Sequence, residues 1–217
     1  MTAVRNGGGP TLERAWWLRS LLVLQAPTPV FAALRDDSDE AASARQEPIT
    51  AIAFLAGIAA ILASGVGGEL LDDDDFGRLL VPFWIMFAGA AQGFGAYWLG
   101  GGFLYLAVRG LGATGTYRRA RHLLAFAAVP LALSLVLLWP LRLAVYGGDL
   151  FREGGDDSGA ADAAFEIGEA AFAAWSLGLL VLGVRVVHRW SWGRALGACA
   201  LAALVLVTVT AFFAVLA

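Results

Sequence analysis

The stretch RGLGATGTYRRARHLLAFAAVP, residues 109–130, places four arginines, Arg109, Arg118, Arg119 and Arg121, in a glycine-containing link between two oily segments. Short loops on the cytoplasmic side of a membrane accumulate arginine and lysine, and loops on the opposite side do not. The link therefore reads as a cytoplasmic connection between two membrane-crossing helices. Upstream, residues 79–108 carry no charge; downstream, residues 122–141 carry none.

A crossing helix needs about 20 apolar residues. Working outward on that measure, the sequence predicts five spans, about 48–68, 79–108, 122–145, 165–187 and 195–217. The fourth requires that Glu166 and Glu169 near one end, and Arg185 near the other, be tolerated. Backbone in lipid must satisfy its own hydrogen bonds, so these spans are helices. Thirty helical residues in the second run extend about 45 Å, against a hydrocarbon core of about 30 Å. That run must tilt, kink or project, and the glycines at 100–102 are where a bend or stop is expected.

Arginines on alternate flanks set the orientation. The N-terminal segment holds Arg5, Arg14, Arg19, Arg35 and Arg45, the 109–121 link holds four, and the 185–194 link holds Arg185, Arg189 and Arg194. The other side holds only Arg78, Arg142 and Arg152. Twelve against three puts the N-terminus in the cytoplasm and the C-terminus outside. Two acidic stretches, ELLDDDD at 69–75 and DLFREGGDDSGAAD at 149–162, then fall outside and make that face negative.

Composition agrees with a protein integral to the cell membrane. Hydrophobic residues make up 59% and charged residues 15%, where an ordinary soluble domain is about half apolar and about a quarter charged. Every one of the 15 basic residues is arginine, which reads as the bias of a GC-rich prokaryotic genome. A net charge of −3 gives no electrostatic footprint for nucleic acid. Cys199 is the sole cysteine, so no disulfide forms within the chain, and it reads as a small buried hydrophobe.

Residues 1–47 are expected to be a cytoplasmic N-terminal segment. MTAVRNGGGP reads as a disordered tail. LERAWWLRSLLVLQAPTPVFAALRDDSDE suggests a short helix lying at the interface, with Trp16 and Trp17 at headgroup level. Gln25, Pro27 and Pro29 interrupt its apolar centre, so it is not expected to be a signal peptide.

Three stretches resemble the Yip1 family of five-span membrane proteins, in particular its prokaryotic members. APTPVFAALRDD at 26–37 is similar to the family's Pro-x-x-x-Phe segment leading into the membrane. GTYRRARHLLAFAAVPLAL at 115–133 is similar to its Gly-x-Tyr-Arg loop and proline-containing third span. AFAAWSLGLLVLGVRVVHRWSWGRAL at 171–196 is similar to its fourth span, basic hairpin and start of the fifth. The likeness extends over about residues 26–217 and implies a Yip1-like transmembrane domain over 48–217. Eukaryotic relatives act in the early secretory pathway with Rab-type GTPases. This chain lacks their long polar N-terminal region and their Asp-Leu-x-Gly-Pro stretch, with DDDDFGRLLVP standing roughly there. No Rab-related role is carried over.

Several constellations invite function. Glu166 and Glu169, three apart, share one helix face near the outer side. Charges at such depth are costly and tend to be paired or functional. Arg142 or Arg78 is expected to pair with one of them and lock the helices. A cation or substrate site is the competing reading, with Gln92 at the midplane as part of its route and pointing at protein. Asp72 to Asp75 lack EF-hand spacing and read as a solvated loop. Gly89, Gly93 and Gly95 supply small residues for close helix approach. Pro82, Pro130 and Pro140 read as kinks or helix starts.

His122 and His188 at cytoplasmic helix ends lack a third metal ligand. No strand followed by Gly-Lys-Ser/Thr supports nucleotide binding, and no nucleophile–base arrangement supports catalysis. The expectation is an all-α polytopic protein, a bundle of five transmembrane helices, that is non-enzymatic and needs no cofactor. It is expected to act by protein or lipid interaction, with anionic lipid at the arginine loop and a homo-oligomer or membrane partner at the glycine face. The alternative is a transporter, channel or accessory subunit using the outer Glu/Arg cluster.

Overall fold

The computed structural model describes residues 9–64, 79–152 and 159–216. Among them the regular structure is helical throughout. Three short helices, α1 (Gly9–Leu22), α2 (Pro27–Ala33) and α3 (Asp39–Ala44), precede α4 (Gln46–Leu62). Next come α5 (Leu80–Gly95), a π-helical turn (Ala96–Gly100) and α6 (Gly101–Gly110). After the arginine link come α7 (Tyr117–Ala127), α8 (Val129–Leu137), α9 (Trp139–Tyr146) and a 3₁₀ turn (Gly147–Phe151). The long helices α10 (Ala160–His188) and α11 (Trp192–Leu216) complete the bundle.

Among the described residues, three helical runs are long and apolar enough to cross a membrane: Tyr117–Phe151, Ala160–His188 and Trp192–Phe212. The first is one helical path broken twice. Pro130 and Pro140 each sit in the first turn of a new helix, where their missing N–H is no loss but the preceding helix cannot continue. α4 is a shorter apolar helix of 17 residues.

The long run around 79–108 is helical from Leu80 to Gly110 but changes register in the middle. The glycines at 100–102 do not stop it. The adjustment comes just before them, in the π turn, which leaves the Trp98 carbonyl able to accept from the Tyr117 hydroxyl at 2.6 Å. Gly101 lets α7 approach: a Cβ there would stand 2.4 Å from Arg121 Cγ.

α4 and α5 meet backbone to backbone. A Cβ on Gly57 would lie 2.1 Å from the Gly89 carbonyl oxygen, and one on Gly93 would lie 2.0 Å from that of Ala53. Gly89 and Gly93, four apart, share the contact face. Gly95 has nothing within 4 Å of a Cβ position, which corrects its expected role in packing. Gln92 is exposed rather than pointing at protein. One residue before Gly93, it is turned about 100° away from the α4 contact.

The N-terminal segment packs onto the bundle. Trp16 is buried, with its ring 5.5 Å from Phe126; Trp17 is exposed. Phe31, Val30 and Leu34 of the Pro-x-x-x-Phe segment are buried. Gly183 of α10 leaves space for the Phe31 ring, whose atoms would lie 3.0–3.2 Å from an added Cβ. The outer surface is oily, with Phe83, Phe87, Ile167, Leu204 and Val207 exposed.

Candidate functional site

Two polar assemblies stand at opposite ends of the bundle. At one end, Arg142 of α9 donates from Nη1 to Glu169 Oε1 at 3.0 Å and from Nη2 to Asp162 Oδ1 at 2.7 Å, both on α10. The Trp139 ring centroid lies 5.2 Å from its guanidinium. The three charged side chains are 13–21% exposed, so the cluster is shielded but not dry. Glu166 is exposed and outside the ion pairs. Ser134, Trp139, Glu166 and Glu169 line a cleft of about 280 Å³. Arg78 and the run Asp72–Asp75 lie outside the described residues. Asp162 was legible as the start of the series 162, 166, 169, a single helix face at i, i+4, i+7, but its place in an acidic loop motif concealed it.

At the other end, the three arginine-bearing segments converge. Arg35 donates to the Val186 carbonyl, Arg119 donates to the Arg35 carbonyl at 2.9 Å, and Arg194 donates to the Leu111 carbonyl. Asp37 is the hub of this end. Its carboxylate accepts from Arg118 Nε at 3.1 Å, from Arg45 Nη2 at 3.4 Å and from the Thr116 hydroxyl. Thr116 also caps α7, accepting from the Arg119 N–H at 3.1 Å. Arg118 reaches Asp39 as well, at 2.7 Å. Nearby, the Ser38 N–H donates to Asp36 and holds its carboxyl below the usual range.

Arg45 is wholly buried and donates from Nε to His122 Nδ1 at 2.8 Å. As an acceptor at Nδ1 the ring is neutral, with its proton on Nε2. Burial lowers the Arg45 pKa, and the Asp37 charge opposes the shift.

The arginine loop is thus divided in its work. Arg118 is spent on two aspartates. Arg121 lies among three rings, 3.8 Å from Trp98, 4.6 Å from Tyr117 and 5.1 Å from Tyr97. Arg109 donates to the Tyr105 hydroxyl at 2.6 Å. Arg119 turns toward the α10–α11 hairpin, sharing a cleft with Arg35, His188 and Arg189. Among the described residues no group of three His, Cys, Asp or Glu side chains is placed to hold a metal.

This architecture, with Phe31 seated on Gly183 and the Tyr117–Arg121 turn against the π segment, uses the same stretches that carried the likeness noted above. The Yip1 domain matches residues 21–214. The chain belongs to the Yip1 domain family. No curated protein and no solved structure matches it. The match covers most of the chain, α2 to nearly the end of α11, and begins within α1. It takes in Asp37 and Arg45 as well as the apolar helices, so the buried cap around Asp37 falls within the Yip1 domain. This Yip1 chain is a membrane protein.

Proposed function

We propose that this protein is a non-enzymatic, five-span membrane protein that acts through contact with anionic lipid at its cytoplasmic end. The N-terminus lies in the cytoplasm and the C-terminus outside. One observation carries the reading. Arg35, Arg109, Arg119, Arg189 and Arg194 share one end, and among the described residues none has a carboxylate oxygen within 4.0 Å. Arginine near an anionic leaflet gains about 1 kcal/mol each, and the carbonyl anchors that hold Arg35, Arg119 and Arg194 lower the entropy lost on contact. The glycine face of α5 is occupied by α4, so it offers no seat to a membrane partner.

The test is thermal unfolding in nanodiscs of rising phosphatidylglycerol content. Stability rises with anionic lipid and the rise shrinks with salt. A melting temperature indifferent to lipid charge removes the proposal.

A second reading, cation passage, draws on the cleft beside Glu166 and Glu169. Liposome flux with wild type and Glu169→Gln separates the two: no flux, or flux that ignores the substitution, leaves lipid contact standing. Gln92 is exposed and is not among the residues that line that cleft.

A further inference from the structure

We propose that the cleft between the N-terminal segment, the arginine link and the α10–α11 hairpin is a discrete binding site for one phosphomonoester group. It deepens the lipid-contact reading and rests on it.

The cleft measures about 310 Å³, and Arg35, Arg119, Arg189, His188 and Thr114 line it. Three guanidinium groups from three separate segments therefore face one open space. Among the described residues no carboxylate pairs with any of them. Like charges gathered without a counter-charge repel one another, and the arrangement is relieved when an anion enters. The contrast within the molecule is direct. Arg45 and Arg118 have Asp37, Arg142 has Glu169 and Asp162, and Arg121 has its rings. The cleft arginines have no such neutralising partner.

Their placement is built. Arg119 is held by the Arg35 carbonyl and Arg35 by the Val186 carbonyl, each through Nη2. The remaining Nη1 edges have no protein acceptor among the described residues. Arg119 Nη1 passes 3.5 Å from a Cβ position on Gly115, with His188 Cε1 at 3.7 Å. Arg189 is the single non-glycine residue with positive φ among the described residues, at 55°. Its left-handed turn ends α10, with the Trp190 N–H bonded back to the Arg185 carbonyl, and carries the exposed Arg189 side chain to the rim. Arg194, over the Trp190 ring at 4.3 Å, stands beside the Gly112 edge.

A phosphomonoester suits this set. It carries about −1.5 to −2 charge near pH 7 and three terminal oxygens. Planar guanidinium forks match those oxygens two at a time. The tryptophans at 190 and 192 place the cleft where headgroups lie. The phosphate belongs either to a lipid headgroup or to a free phosphate from the cytoplasm.

The test uses the full chain in phosphatidylcholine nanodiscs, read by native mass spectrometry. The probes are dihexanoyl phosphatidate, dihexanoyl phosphatidylglycerol and inorganic phosphate. Saturable retention of one phosphatidate per chain is expected, in preference to phosphatidylglycerol. Arg119→Ala and Arg189→Asn each weaken it about tenfold, the size expected for losing a charge-assisted hydrogen bond. Asparagine tolerates the left-handed turn, so Arg189→Asn keeps the test valid if Arg119→Ala fails to fold. Arg19→Gln removes equal charge from the exposed N-terminal segment outside the cleft and leaves the single site saturable.

Competition by millimolar inorganic phosphate identifies a free-phosphate site, and no competition identifies a lipid headgroup; both uphold the phosphomonoester class. Equal weakening by all three substitutions, without saturation, overturns the cleft and leaves diffuse lipid contact intact. A preference for phosphatidylglycerol overturns the monoester assignment. Absence of any anionic preference removes both readings.

Discussion

Replacing Gly93 by alanine tests the α4–α5 contact most severely. The new Cβ would stand 2.0 Å from the Ala53 carbonyl oxygen, 2.9 Å from its carbon and 3.2 Å from Gly57 Cα. All three are backbone atoms, so no rotamer change clears the space. Ordinary contact begins near 3.4 Å, and α5 must retreat by about 1.4 Å, an overpacking strain whose usual range tops out at about 3 kcal/mol. Retreat also loosens Gly57 against Gly89, where the approach is equally close. At about 2–4 °C per kcal/mol for a chain of this size, melting should fall by about 6–12 °C. Gly95→Ala is the matched control. Nothing lies within 4 Å of its Cβ position, and alanine in a helix is favoured over glycine by about 0.5–1 kcal/mol. Thermal unfolding of the purified chain, followed by tryptophan fluorescence in one detergent, compares them. If the two variants melt together, α4 and α5 do not meet through Gly93 and the packing described here is wrong.

Arg142→Gln should destabilise by about 3 kcal/mol, the low end for removing one partner of a buried pair, because the cluster is partly exposed. Arg142→Met combined with Glu169→Met and Asp162→Met should recover much of that loss in the same melt, and no recovery would show that the charges are not coupled. Arg121→Lys should cost about 1–2 kcal/mol, since an ammonium cannot stack among three rings as a planar guanidinium does; an unchanged melt would mean that Arg121 faces away from Trp98. In a Cys199→Ala background, an impermeant maleimide should label Ser191→Cys and Asp149→Cys from opposite compartments, with Asp149→Cys on the outside. Labelling from one side would overturn the orientation.

The apolar runs and their arginine flanks were readable because a bilayer imposes length and charge rules on the chain one segment at a time. The pair Glu166 and Glu169 asked for a cation, and the position of Arg142 at the matching helix end indicated where to look. What the sequence could not show was which loops meet. Asp37 joins Arg118 from 81 residues away, and Arg45 finds His122 from 77; no local spacing encodes either contact. Asp37 could have been suspected only as an acid in a segment otherwise noted for arginine. The same limit explains Gly95 and Gln92. Composition marks α5 as rich in small residues, but only the direction of α4 decides that Gly89 and Gly93 touch it while their neighbours do not.

The N-terminal strap has a consequence for how the chain is made. Arg35 is fastened to a carbonyl 151 residues downstream. A ribosome adding about 5–20 residues per second exposes the strap for about 8–30 s before its seat on α10 exists. During that interval Phe31 and Leu34 have no pocket, and the amphiphilic strap must wait on the membrane surface or under a chaperone. Biogenesis therefore closes on an upstream segment, synthesised well before α10 yet locked in place only after it.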